Sequence, residues 1–75
     1  MSVQHDFYEQ RALASRADAA AALLANVRER HLCAALAWEG MAARARRTQK
    51  MRADLDAQKV VKRAEEAAAL ALADA

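Results

Sequence analysis

Apolar residues recur along this chain at alternating steps of four and three, the spacing that keeps side chains on one face of an α-helix. Three such series follow one another along the sequence. Each is a seven-residue repeat, which predicts close helix packing of the coiled-coil type. Their members are Leu13, Ala17, Ala20 and Leu24 in the first series, Val27, His31, Ala34, Trp38, Met41 and Ala45 in the second, and Ala53, Ala57, Val60, Ala64, Ala67 and Ala71 in the third.

Residues suited to helix capping divide the three series. Asp6 is followed three residues later by Glu9, and Asn26 by Glu29, and each pair has the form of a capping box. Thr48 is a weaker cap before the third series. We therefore predict an all-α fold, with an antiparallel helical hairpin over about 7–24 and 27–47, followed by a third helix over about 49–71. The whole chain, 1–75, is expected to form a single small domain with a flexible N-terminus (1–5) and a fraying C-terminus (72–75).

Two of these boundaries stay open from the sequence alone. Leu24 and Val27 are three residues apart, so one continuous helix from Leu13 to Ala45 also satisfies the periodicity. The capping residue Asn26 favours a hairpin over that alternative. The third series starts one position out of phase with the second, which indicates either a turn near 48 or a stutter within a long helix.

The second predicted helix has two apolar faces, whereas a surface helix needs only one. Leu32 and Leu36 lie about 120–180° around the helix from Trp38 and Met41, at 100° per residue. One face is expected to meet the first helix, and the other the third helix or a second copy of the protein. The predicted partner or oligomer interface consists of Leu32, Leu36, Trp38, Met41 and Leu55.

Composition narrows the fold and the kind of assembly. Although 56% of the 75 residues are hydrophobic, 23 of them are alanine, so the side chains available for a core are small. The scarcity of β-branched residues makes a sheet improbable. The chain has one glycine and no proline, the residues that tight hairpin turns need. A core this small is marginal. We therefore expect a homo-oligomer, with a dimer favoured, or a protein partner that supplies the missing burial.

Charge is concentrated in one short stretch of the sequence. Residues 44–52 contain five basic residues and no acidic one, whereas the net charge of the whole chain is only +2. This stretch suggests an alternative function, a nucleic-acid-associated accessory protein. No aromatic residue interrupts it to stack on bases, so a solvated helix face is the favoured interpretation. The candidate phosphate-contacting residues are Arg44, Arg46, Arg47 and Lys50.

The residues that could bind a metal or act in catalysis are not predicted to lie close together in space. His31 and Cys33 are two positions apart and point to nearly opposite sides of a helix, while His5 lies before the first predicted helix. Structural zinc sites usually need four ligands. The paired carboxylates lie on helix surfaces beside basic residues, without a pocket that would tune their pKa. We therefore predict no metal, no cofactor and no enzymatic activity.

Two further features bear on localisation. The single cysteine favours a reducing compartment. The first residues lack the pattern of a signal peptide, and no apolar run approaches the length of about 20 residues that spans a bilayer. We expect a cytoplasmic protein without a membrane partner.

Three short segments carry a resemblance to known proteins: Tyr8-x-x-Arg11-Ala12, Asn26-Val27-Arg28-Glu29-Arg30-x-Leu32 and Trp38-x-x-Met41-Ala42-x-Arg44. They resemble small, uncharacterised bacterial alanine-rich helical-hairpin proteins, and more loosely the hairpins of tetratricopeptide-type repeats. The resemblance implies a helical hairpin and brings no functional residue with it. With the two-faced second helix, it leads us to expect a non-catalytic helical interaction module, either self-associating or an adaptor, that binds through helix faces.

Overall fold

The computed structural model describes residues 2–74 as two α-helices that pack against each other in antiparallel orientation. Helix α1 spans Val3–Ala21 and helix α2 spans Ala25–Ala73, with 19 and 49 residues respectively. Helix α2 is about 73 Å long at 1.5 Å per residue, which accounts for the long dimension of the 77 × 14 × 11 Å molecule. No strand occurs within residues 2–74, so the all-α prediction is confirmed.

Helix α1 begins four residues earlier than predicted. Ser2, not Asp6, is its N-cap, and the Ser2 side chain accepts a hydrogen bond of 3.3 Å from the backbone N–H of His5. Asp6 lies in the first turn, where its negative charge is favourable beside the free N–H groups. The segment expected to be a flexible N-terminus is therefore helical from Val3 onwards, and His5 is buried; Met1 lies outside the described residues.

The hairpin prediction is confirmed, but the turn precedes the predicted cap. Ala22 and Leu24 have extended backbone conformations, with ψ near 130°, and these break the helix without glycine or proline. Leu24 is the N-cap of α2, and it makes no side-chain hydrogen bond. Asn26 already lies inside α2, and its side chain accepts from Val27 N–H at 3.0 Å. The guanidinium of Arg28 donates to the Ala22 carbonyl at 3.1 Å and ties the turn together.

The predicted third helix is not a separate element. Helix α2 continues through Thr48 to Ala73, so the phase change in the apolar pattern is a stutter within one helix. Ala42 and Ala53 are 11 residues apart, which is close to three full helical turns. One threonine among arginine, glutamine, lysine and methionine does not outweigh their helix propensity. At the C-terminus, 72 and 73 are helical and 74 is a turn, while Ala75 lies outside the described residues.

The core is a seam of small side chains between α1 and the first half of α2. Its buried apolar residues are all alanine, and this permits the two backbones to approach closely. The first predicted series is wrong by one position, because Ala12 and Ala19 are buried whereas Leu13 is 58% exposed. A leucine at this seam would force the helices apart. The second series is largely confirmed: Met41 is exposed, and its half-buried members are Val27, His31, Ala34, Trp38 and Ala45.

We predict that Ala35→Asp destabilises the hairpin strongly, because Ala35 is fully buried in the seam. An unpaired carboxylate there should lower the free energy of unfolding by about 2–4 kcal/mol. Ala37→Asp is the matched control, since Ala37 is exposed and loses only helix propensity, about 0.5 kcal/mol. Thermal melts followed by circular dichroism at 222 nm measure both. Equal effects would show that α1 does not cover this side of α2.

Candidate functional site

The second half of α2 extends beyond α1. A hydrogen bond of 3.1 Å between the Ser2 backbone N–H and the Gln49 side chain marks the open end of the hairpin. Every residue from 50 to 74 is exposed. Residues 50–73 therefore form a single helix about 36 Å long that packs against no other part of the described chain.

This projecting half carries an apolar face on the same side of α2 that receives α1. Ala53 and Val60 lie 18 residues after the seam residues Ala35 and Ala42, and 18 residues make five helical turns. We name this surface the uncovered face. It consists of Ala53, Ala57, Val60, Ala64, Ala67 and Ala71, with Val61 and Ala68 at its edge.

The five predicted interface residues do not form one surface. Leu32 and Leu36 are exposed on the first half of α2 and are 37% and 62% accessible. Leu55 is also exposed, but it lies on the projecting half, about 160° around the helix from Ala53 at 100° per residue. Leu55 is thus separated from the others along α2, and Leu32 and Leu36 lie on a different face of α2 from Trp38 and Met41.

Trp38 packs against α1 in an aromatic cluster. Its ring stacks on Tyr8 with centroids 5.9 Å apart, and it meets Phe7 edge-to-face at 6.0 Å. The Arg11 guanidinium lies over the Trp38 ring, 5.4 Å from its centroid. Aromatic pairs of this kind contribute about 0.5–1.5 kcal/mol each beyond the area that they bury. Trp38 thus holds the hairpin together, a role that its place in the second series already suggested.

The candidate phosphate-contacting residues differ in their surroundings. Arg46 donates to Nε2 of the buried His5 at 3.1 Å, across the seam. On the other side of the ring, His5 Nδ1 lies 3.3 Å from an Asp6 carboxylate oxygen. This hydrogen-bonded arrangement requires a proton on Nδ1 and an acceptor at Nε2. The other three candidates, Arg44, Arg47 and Lys50, are exposed and make no ion pair within residues 2–74.

His5, Asp6 and Glu9 bring three potential metal-ligand atoms within 4.8 Å of one another. This cluster was not predicted from the sequence, because His5 was expected to lie in a tail before the first helix. The cationic Arg46 touches the same imidazole, and it opposes a second positive charge at this position. The cluster is accounted for by hydrogen bonds: His5 bonds to Asp6 within α1, and Arg46 bonds to His5 and so anchors the start of α1 to α2.

A bidentate ion pair joins the helices at the middle of the seam. The Arg16 guanidinium donates to both Glu39 carboxylate oxygens, at 2.6 and 2.7 Å. These hydrogen bonds hold the pKa of Glu39 below its usual value, and the same contacts raise the pKa of Arg16. The fork geometry fixes the register of α1 along α2.

Comparisons with protein-family models, with curated proteins and with solved structures find no match to this chain. Neither α1 nor the described length of α2 has an apolar stretch long enough to cross a lipid bilayer.

We predict that Glu39→Gln lowers the melting temperature at pH 7 and that its effect disappears in acid. Because the folded-state pKa of Glu39 is depressed, its stabilisation is fully present above the ordinary glutamate pKa of about 4.3 and is lost as the pH falls through the lower folded value. Thermal melts of both proteins from pH 7 downwards measure this convergence. Glu29→Gln is the control, since Glu29 makes no ion pair in the described structure. A constant difference between wild type and Glu39→Gln at all pH values would contradict the prediction.

Proposed function

We propose that this protein is a non-catalytic helical interaction module that self-associates through the uncovered face of α2. The observation that carries the proposal is the projecting half of α2, whose apolar side continues the seam but is covered by no residue of the described range 2–74. Such a face contributes about 25 cal/mol per Å² only when another apolar surface removes it from water.

The surface area of the chain supports a partner of the size of one further helix. The solvent-accessible surface is 6263 Å², whereas a compact monomer of this mass exposes about 4,500 Å². The excess is therefore about 1,700 Å² per chain, and each partner in an interface of standard size buries about 800 Å². A second copy is always present where the protein is made, and it carries the same uncovered face.

The proposal predicts that wild type is a dimer in light scattering coupled to size exclusion and that Ala64→Asp converts it to a monomer. The substitution puts a charge on the uncovered face of each copy, and we expect it to weaken association roughly a hundredfold or more. Ala69→Asp is the matched control, because it makes the same change about 140–160° away from that face at 100° per residue. A monomeric wild type at all concentrations, or equal effects of both variants, would overturn the proposal.

The basic stretch supports nucleic-acid binding as a second candidate, because Arg44, Arg47 and Lys50 are exposed without an ion pair in the described part of the chain. This candidate predicts affinity that falls steeply with salt, through counterion release. Arg47→Glu combined with Lys50→Glu should then abolish binding while the hairpin stays intact, since Arg46 keeps its contact with His5. Titration of a fluorescent oligonucleotide at two salt concentrations measures this. No binding by wild type at low salt would exclude it.

A further inference from the structure

The uncovered face is self-complementary in one orientation. Its six positions are separated by steps of four, three, four, three and four, a series that reads the same in both directions. If a second copy runs antiparallel about a twofold axis at residue 62, residues equally far from 62 come level. Ala53 then faces Ala71 of the second copy, Ala57 faces Ala67, and Val60 faces Ala64, so that all six positions pair at once.

We infer that two copies pair antiparallel through residues 53–71 of α2, so that the second copy's α2 continues the line of α1 along the first copy's α2. This inference rests on the proposed function and specifies its partner and geometry. The resulting dimer is a two-helix rod, with a hairpin of α1 and α2 at each end and two paired α2 segments in the middle.

The position of α1 favours this orientation over a parallel one. Helix α1 lies on the same side of α2 as the uncovered face. Two parallel copies that met through that side would bring both α1 helices to the same level, between the two α2 helices. Antiparallel copies place their hairpins at opposite ends, where each α1 has free space.

The start of α1 also limits the overlap. The contact between Ser2 and Gln49 places the beginning of α1 level with residue 49 of α2. With the axis at residue 62, Asp74 of the second copy comes level with Lys50. The end of the second copy's α2 therefore meets the start of the first copy's α1. One more heptad of overlap would drive the second copy into α1. Helix α1 therefore acts as a stop that selects the longest register that fits.

Charge at this junction is complementary. With the axis at residue 62, Asp74 of the second copy comes level with Lys50, in the stretch 44–52 that carries five basic residues and no acidic one, whereas Glu65 and Glu66 come level with residues 59 and 58. The C-terminus of α2 adds about half a negative charge, and the N-terminus of α1 adds about half a positive charge. The antiparallel arrangement brings these opposite ends together.

Cysteine cross-linking tests the arrangement, in a Cys33→Ser background because the native cysteine is exposed. Ala53→Cys chains mixed with Ala71→Cys chains should form a covalent heterodimer under mild oxidation. Ala71→Cys alone should form roughly tenfold less, since the two cysteines would lie about 27 Å apart and a disulfide needs Cα atoms within about 7 Å. Ala69→Cys mixed with Ala53→Cys is the control on the opposite face and should also fail to cross-link.

The possible outcomes separate this inference from the proposed function. Efficient cross-linking of Ala71→Cys alone would show parallel pairing, and a dimer that forms neither cross-link would show pairing elsewhere. Either result overturns the antiparallel arrangement and leaves self-association standing. A monomeric wild type in light scattering overturns both. Heterodimer formation that is blocked by Ala64→Asp supports both.

Discussion

The unequal length of the two helices is the constraint on which the rest of this structure depends. Helix α1 has 19 residues and α2 has 49, so α1 covers only the first half of its partner. Because α2 keeps the same side apolar in both halves, the seam of the hairpin has an open continuation. The projecting helix, the high exposed area and the proposed mode of association all follow from this mismatch.

The seam itself is built from residues that bring helices close but bury little area. Buried alanines such as Ala12 and Ala42 contribute little hydrophobic energy each. Specific contacts along the seam therefore fix much of the register of the two helices: the bidentate pair of Arg16 and Glu39, and the neighbouring Trp38, which packs on the first turns of α1. A hairpin held in this way is defined in geometry yet marginal in stability, and further burial would stabilise it.

The sequence predicted the helical class, the hairpin and the second apolar series, but it misplaced most boundaries. Alanine explains the error in α1, since it occurs on every side of that helix and the series through Ala12 and Ala19 is as regular as the one through Leu13 and Ala20. The sequence pattern favours leucine as a core residue, whereas the close approach of two backbones selects alanine. The prediction of a separate third helix was wrong for a different reason. The change of phase was taken as a helix end, although a helix with neither proline nor glycine near that change can absorb it as a stutter.

The candidate surface was predictable only in part, because it depends on where α1 ends. The third apolar series was visible in the sequence, but only the contact between Ser2 and Gln49 shows that α1 ends before this series and that no other described residue packs on it. The same contact changes the interpretation of the basic stretch. Residues 44–52 include the level at which α1 begins, near residue 49. Their positive charge therefore lies where α2 of a second copy would end. In the proposed dimer that end is the C-terminus of α2 with Asp74 level with Lys50, and attraction between this negative helix end and the basic stretch favours the register that the start of α1 permits.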